Sequence, residues 1–272
     1  MIDLQAVRTV ATTIAREAGA VLMEKFDQPH QQRTKRTVTD IVTEGDTASE
    51  AVILAALGQH FPDHHVVSEE GGGTSSTSRE NAEYVWYVDP LDGTTNYASN
   101  IPFFSVSIGM SDRDGNPLVG VVYDPFGKQL FSAAQGFGAT LNDKPLHVSA
   151  CDTLETAVLC AGFPYDSHTN PDNNLPEWSA FTKRTRALRC MGSAALEMAF
   201  VAAGRLDGFW EQRINPWDVT AGIVLIREAG GVVTDYSGQV SERMVSGQEI
   251  VASNNLIQEQ MLAVLYEARK SL

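Results

Sequence analysis

The stretch Trp86-Tyr87-Val88-Asp89-Pro90-Leu91-Asp92-Gly93-Thr94-Thr95-Asn96 constrains this chain more than any other. An apolar strand delivers Asp89 at its end. Pro90 locks its own φ and biases its neighbour away from helix, so the backbone runs on through an extended turn. Asp92 follows on the same side, and two carboxylates with an intervening carbonyl converge. Oxygen-only ligands of this kind suit a hard divalent cation such as magnesium. Gly93-Thr94-Thr95 can then open a helix whose free N–H groups face an anion. Alone, the segment also reads as a surface turn, because Asp-Pro and Asp-Gly are both turn signals.

Three further acidic elements stand at similar junctions. Ser68-Glu69-Glu70 closes the apolar pair Val66-Val67 and precedes glycines, which by itself is a charged turn. Pro216-Trp217-Asp218-Val219-Thr220-Ala221-Gly222 places Asp218 as the N-cap of a following helix, a role compatible with metal ligation. Thr39-Asp40-Ile41-Val42-Thr43-Glu44-Gly45-Asp46 puts Asp46 near a helix start, where it favours the macrodipole.

Around these elements the periodicity changes along the chain. Leu4, Val7, Val10, Ala11, Ile14, Ala18, Val21 and Leu22 predict an opening amphipathic helix. Gln28 to Thr39, with Lys35 and Arg36, lacks a period and reads as an exposed loop or ribbon, and a second helix is predicted from Thr43 to about Phe61. Strand-like segments follow at His65–Ser68, Tyr84–Val88, Phe103–Met110, Leu118–Tyr123 and Gln129–Ala133, with a glycine- and serine-rich flexible loop from Gly71 to Ser78. The turn Asp112–Asn116 predicts antiparallel pairing of its flanks. Beyond about residue 145, strands at Ala157–Ala161, Ala187–Cys190, Gly208–Trp210, Gly231–Thr234 and Ile250–Ser253 alternate with helices at Trp178–Arg184, Ser193–Ala203, Val219–Glu228 and Leu256–Lys270. The expectation is an α+β chain in two halves, 1–145 and 146–272.

Composition narrows the chemistry. With 20 Lys+Arg against 34 Asp+Glu, the net charge of −14 weighs against nucleic acid and anionic membranes, but allows a phosphorylated small molecule received by cations. No apolar run approaches the roughly 18 residues that suggest a membrane span. The start, Met1-Ile2-Asp3-Leu4-Gln5, shows no export signal, so the expected address is cytoplasmic. Cys151, Cys160 and Cys190 form no C-x-x-C pair and read as reduced, mostly buried thiols. His60, His64 and His65 flank Pro62 and read as a solvated turn.

Taken together, Asp46, Glu69-Glu70, Asp89-Pro-Leu-Asp-Gly-Thr-Thr-Asn96 and Trp217-Asp218-Val-Thr-Ala-Gly222 resemble the inositol monophosphatase family over nearly the whole chain. The resemblance implies a layered α-β-α-β-α sandwich, of the type shared with fructose-1,6-bisphosphatase, usually paired as a homodimer. It implies Glu69, Asp89, Asp92, Asp218 and the Leu91 carbonyl as ligands of two or three Mg²⁺, with Asp89 bridging. Asp46 and Thr94 match the pair that helps activate the attacking water, and the N–H groups of Gly93, Thr94 and Thr95 match a phosphate cradle. Gly192, Ser193, Ala194 and Glu211 match contacts to the alcohol. Lithium sensitivity is implied as well.

Electrostatics agrees with a need for cations. Unit charges about 5 Å apart repel by roughly 3 kcal/mol at an effective dielectric near 20, and a phosphate dianion must enter among four carboxylates. Related phosphatases share this metal site. The bisphosphate nucleotidases tend to carry lysine where this chain has Thr95, and segment 205–220 offers only Arg205 and Arg213 to a second phosphate. Inositol monophosphate is therefore the expected substrate, ahead of histidinol phosphate and fructose 1,6-bisphosphate, with 3'(2'),5'-bisphosphate nucleotides behind them. A non-catalytic regulatory relative is the alternative from another class.

Overall fold

Helix α1 (Leu4–Lys25) starts at Asp3, whose Oδ1 accepts the N–H groups of Gln5 and Ala6 at 3.0 and 3.2 Å. Its buried stripe, Val7, Ala11, Ile14, Ala18 and Leu22, is the one that the periodicity predicts. The computed structural model describes residues 2–35, 39–71 and 77–270. Arg36 and residues 72–76 of the glycine- and serine-rich segment lie outside the described residues.

After α1 come β1 (Arg33–Thr34) and β2 (Ile41–Val42), paired as a short antiparallel ribbon, and α2 (Glu44–His60). The remainder of the first half comprises β3 (His65–Ser68), β4 (Tyr84–Asp92), α3 (Thr94–Ala98), β5 (Ser105–Asp112), β6 (Pro117–Asp124), β7 (Gln129–Ala134), β8 (Ala139–Leu141) and β9 (Lys144–Pro145). The second half contains β10 (Val158–Ala161), α4 (Leu175–Thr182), β11 (Ala187–Arg189), α5 (Ala194–Ala202), β12 (Gly208–Gln212) and α6 (Pro216–Glu228). It ends with β13 (Val232–Thr234), α7 (Glu242–Val245), β14 (Glu249–Ser253) and α8 (Gln258–Arg269).

Among the described residues, β3 to β9 form a seven-stranded sheet in sequence order, parallel at β3–β4 and antiparallel elsewhere. A five-stranded mixed sheet runs β11-β10-β12-β14-β13. Helices α1 and α2 cover the outer face of the large sheet, α5 and α6 lie between the sheets, and α4 packs with α8 beyond the small one. The fold is thus the expected α+β sandwich of α-β-α-β-α layers. Burying each large apolar side chain in these layers stabilises by roughly 1.5–3 kcal/mol.

One contact positions α6 and, with it, Asp218. Gly109 on β5 pairs directly with Gly120 on β6, and α6 crosses there. A Cβ on Gly109 would lie 2.7 Å from Thr220 Cβ, and one on Gly120 would overlap the backbone of Ala221. The glycine pair lets the helix backbone sit against the sheet, which brings the start of α6 over the acidic end of β4.

Several local expectations are corrected. Strand β4 does not stop at Val88 but continues to Asp92, because its register against β5 shifts there: Asp89 pairs with Ser107 and Asp92 with Ser105. Between those pairs Pro90 and Leu91 of β4 oppose Val106 alone, a bulge. Ser105 and Ser107 share one face, so the bulge also turns Asp89 and Asp92 to a common side. His64 is no solvated turn residue: its Nδ1 accepts the Trp86 indole N–H at 3.0 Å, and its ring stacks on Phe61. Of the three free thiols only Cys160 is buried, while Cys190 is exposed.

Candidate active site

A cavity of about 380 Å³ opens where β4, α3, the start of α5, the end of β12 and the start of α6 meet. It brings together Glu69, Asp89, Leu91, Asp92, Gly93, Thr94, Thr95, Gly192, Ser193, Ala194, Glu211 and Asp218. Asp46 stands just behind Thr94: Thr94 Oγ1 lies 3.1 Å from Asp46 Oδ1 and 3.0 Å from the Leu91 carbonyl oxygen. Every residue expected at the site is therefore in one neighbourhood.

Four of the acids are held by backbone donors. Asp46 is the third residue of α2, and its Oδ2 accepts both the Thr43 N–H and the Thr43 hydroxyl at 2.7 Å. Asp218 is likewise the third residue of α6 and accepts the Asn215 N–H at 2.7 Å. It is therefore not the N-cap expected from the sequence, because Pro216 starts the helix a turn earlier and Asn215 takes that place. Asp89 accepts the Leu91 N–H at 3.0 Å. Asp92 accepts the Ala195 N–H at 2.8 Å and the Ser193 hydroxyl at 2.5 Å, tying the first half of the chain to the start of α5. Gly93 links β4 to α3 at φ +94°, where a side chain would be strained. Ser49 Oγ donates to the Pro90 carbonyl at 2.7 Å and fixes the turn from below.

Burial and neighbouring charge raise these four aspartates above ordinary carboxylates. Burial pushes Asp46 up to about 6 against the bonds from Thr43. Burial likewise carries Asp92 to about 6, opposed by Ser193 and Ala195 and reinforced by the Glu69 charge. Asp89 and Asp218 are pushed well up by burial, then by Glu69 and Asp92. At the ribbon, Lys35 Nζ lies 2.9 Å from Glu69 Oε1 and bridges to Glu70. Burial works against the Lys35 charge, but the two glutamates outweigh it and hold the ammonium protonated.

This donor set fits a divalent metal in chemistry: buried, anionic, oxygen-only, and mutually repulsive without a cation. Among the described residues, no three His, Cys, Asp or Glu side chains close around one point as a finished cage does.

The opposite end of the cavity is different. Glu211 is 6% exposed, burial and the charge of Glu197 raise it well above its usual range, and its carboxylate makes no hydrogen bond among the described residues. A Cβ on Gly162 would overlap that carboxylate, so the strand end opposite is kept bare for it. Phe163 and Tyr165 form an aromatic rim. Arg213 also lines the cavity, but is committed to Asp166 Oδ1 at 2.8 Å and the Asp172 carbonyl at 2.6 Å. Arg205 lies over Phe131 and Phe200 instead.

Sequence reasoning missed Lys35 as a site residue, as well as Asn96, Ser105, Glu197, Tyr165 and the capping role of Asn215. The Asn-Pro-x-Asp spacing at 215–218 carried the capping signal. No local pattern pointed to the others.

Comparison with known proteins bears on this geometry. The chain is 42% identical to the inositol-1-monophosphatase of Synechocystis over 263 residues, covering 97% of this chain and 90% of that protein. It is 39% identical to Nus factor SuhB of Pseudomonas aeruginosa, over 92% of each chain. The solved structure of inositol monophosphatase from Anabaena superposes with a TM-score of 0.87 at 43% identity, covering 98% of this chain and 97% of that one. Residues 3–271 match the inositol monophosphatase family as a whole, so the chain belongs to that family and is a phosphatase.

Proposed function

We propose that the cleft hydrolyses a polyol phosphate monoester, with myo-inositol monophosphate as substrate, by direct attack of water. The observation that carries the reading is Glu211. A buried carboxylate without a hydrogen-bond partner among the described residues, facing the same cavity as the acid cluster, calls for hydroxyl donors on the leaving alcohol. Arg213 is already paired, so a second phosphate finds no free cation among the described lining residues, which favours a monophosphate over fructose 1,6-bisphosphate or a nucleotide bisphosphate.

Glu69, Asp89, Asp92, Asp218 and the Leu91 carbonyl would hold Mg²⁺, two or three ions per site. Bound there, the metal supplies Lewis acidity toward water and the phosphoryl oxygens. Thr94 Oγ1 takes the proton of the attacking water and passes its own toward Asp46 Oδ1. The N–H groups of Gly93, Thr94 and Thr95 orient the phosphate, and Gly192–Ala194 with Glu211 orient the alcohol. In this reading residues 1–145 supply most metal ligands and 146–272 complete the cleft, in a lithium-sensitive, cytoplasmic homodimer. Among the described residues no helix is long and apolar enough to cross a membrane.

A phosphate-release panel with Mg²⁺ tests the assignment, comparing inositol 1-phosphate, histidinol phosphate, fructose 1,6-bisphosphate and adenosine 3',5'-bisphosphate. The highest kcat/KM is expected for inositol 1-phosphate, and a clear preference for either bisphosphate overturns it. The 39% identity to a protein named a Nus factor favours a second reading, a regulatory partnership beside catalysis. A cell in which Asp89→Asn fully replaces the wild-type chain would place the main function in binding instead.

A further inference from the structure

The segment that faces the alcohol, Met191–Ala194, connects β11 to α5 and is gripped from two sides. Asn96 Nδ2 donates to the Met191 carbonyl at 2.7 Å and to the Phe103 carbonyl at 2.8 Å. From the other side Glu197, in the first turn of α5, reaches back past the start of its helix. Its Oε1 accepts the Met191 N–H at 2.5 Å and the Gly192 N–H at 3.2 Å. Glu197 is 2% exposed and touches neither the acid cluster's hydrogen bonds nor the catalytic pair. Gly192, at φ +85°, packs over the Asn96 amide, and its carbonyl stands against Gly93. The wall of the alcohol site thus depends on two backbone N–H groups turned inward by one carboxylate.

We propose that Glu197 is a positioning residue for the leaving alcohol: its ionised carboxylate holds Met191 and Gly192 inward, and its protonation loosens the Gly192–Ala194 wall and weakens alcohol recognition. The inference rests on the phosphatase reading of the cleft. Charge-assisted hydrogen bonds are roughly twice as strong as neutral ones, so gaining a proton costs the clamp much of its hold. The groups facing Glu197 are Asp92 of β4, the Cys160 thiol of β10, Cys190 after β11 and Glu211 of β12. None is a cation. Burial accordingly raises Glu197 to about 7, against the two N–H bonds that favour its charge, which puts the change inside the neutral range.

The test is a ratio, kcat/KM for inositol 1-phosphate over kcat/KM for a small aryl phosphate, from pH 6 to 8 at saturating Mg²⁺. Titration at the acid cluster affects both substrates and cancels. In the wild-type chain the ratio is expected to fall about three- to tenfold from pH 8 to 6, mainly through KM for the inositol ester. Glu197→Gln keeps the shape without the charge, and its ratio should be low at pH 8 and flat with pH, while Glu197→Asp recovers part of the wild-type slope. A Glu197→Gln ratio that follows the wild-type curve assigns the titration to Glu211 and overturns the proposal. Equal losses on both substrates overturn it too, as a plain structural role. Should Glu197→Gln not fold, the wild-type profile decides: a flat ratio from pH 6 to 8 contradicts the inference. If the wild-type chain releases phosphate from neither ester, the phosphatase reading itself falls.

Discussion

The two ends of the cleft are built in opposite ways. At the acid end Asp46, Asp89, Asp92 and Asp218 each accept a backbone N–H from a neighbouring turn, so the chain fixes their directions before any ligand arrives. At the alcohol end Glu211 is buried with no such partner among the described residues, and the wall beside it hangs on Glu197 and Asn96. In the proposed reading, the acid end stores charge repulsion that a metal would relieve, and the alcohol end stores unused hydrogen-bonding capacity that hydroxyls would satisfy. On that proposal one end is general for phosphate esters, and the other selects among them.

The largest effect separating the two belongs to Asp89. Asp89→Asn preserves shape but removes a charge from the centre of the cluster. Turnover on every ester should fall by well over the ~100-fold that losing a supporting contact to a metal site typically costs. Steady-state rates with an aryl and an inositol phosphate check it, and a loss of only a few-fold with normal metal affinity contradicts the central place of Asp89.

At the other end, Glu211→Ala should lower kcat/KM for inositol 1-phosphate by roughly 10- to 100-fold, the scale of one or two hydrogen bonds to a charged group. The small aryl phosphate should change little. Equal losses on both substrates would erase the distinction between the two ends.

The buried acids of both ends also make the metal-free protein sensitive to pH. Asp46 and Asp92 at about 6, and Glu70 and Glu197 at about 7, all bind protons more tightly folded than unfolded. Raised acids contribute stability that is full below their unfolded values and is lost as pH rises through the folded ones. The apo melting temperature should therefore decline from about pH 4.5 to 7, and Mg²⁺ should flatten that slope. Thermal scans across this window, with and without Mg²⁺, test it, and an apo protein that gains stability over the same range contradicts the sign.

A smaller effect tests the link between the layers. Gly120→Ala inserts a methyl where α6 touches the sheet, an overpacking that costs about 1–3 kcal/mol and shifts the segment carrying Asp218. Stability and metal affinity should fall together. A variant that melts lower but binds Mg²⁺ normally would show that α6 can slide without moving its acid.

The same contrast explains what could be read in advance. Asp89 to Thr95 form one local turn, and Asp46 and Asp218 each sit three residues after a capping residue, so short-range rules suffice to place them. The layers follow from helical and strand-like periods long enough to recognise. Strands β8 and β9 are too short to carry a period, and the bulge that extends β4 is imposed by its pairing with β5. Lys35 meets Glu69 across 34 positions, and Asn96 meets Met191 across 95. Contacts at that separation are set by topology, not by local sequence, and the alcohol end consists mostly of them. His64 shows the same effect in the core, where tertiary packing on Trp86 overrides a polar turn signal.

The claim that the acid cluster is a metal site kept partly protonated when empty is tested most directly by calorimetric titration with Mg²⁺. The titration is run near pH 6.5 in two buffers of different ionisation enthalpy, on wild type and Asp218→Asn. A metal that replaces protons on raised carboxylates must release them to the buffer. The account predicts a buffer-dependent heat corresponding to net proton release in the wild type, shrinking toward pH 8.5, with weaker binding and less release in Asp218→Asn. A stability gain of about 2.7 kcal/mol at a hundredfold excess of Mg²⁺ over Kd should accompany it in the wild type. Tight Mg²⁺ binding with no proton release, equal in both proteins, would contradict the account.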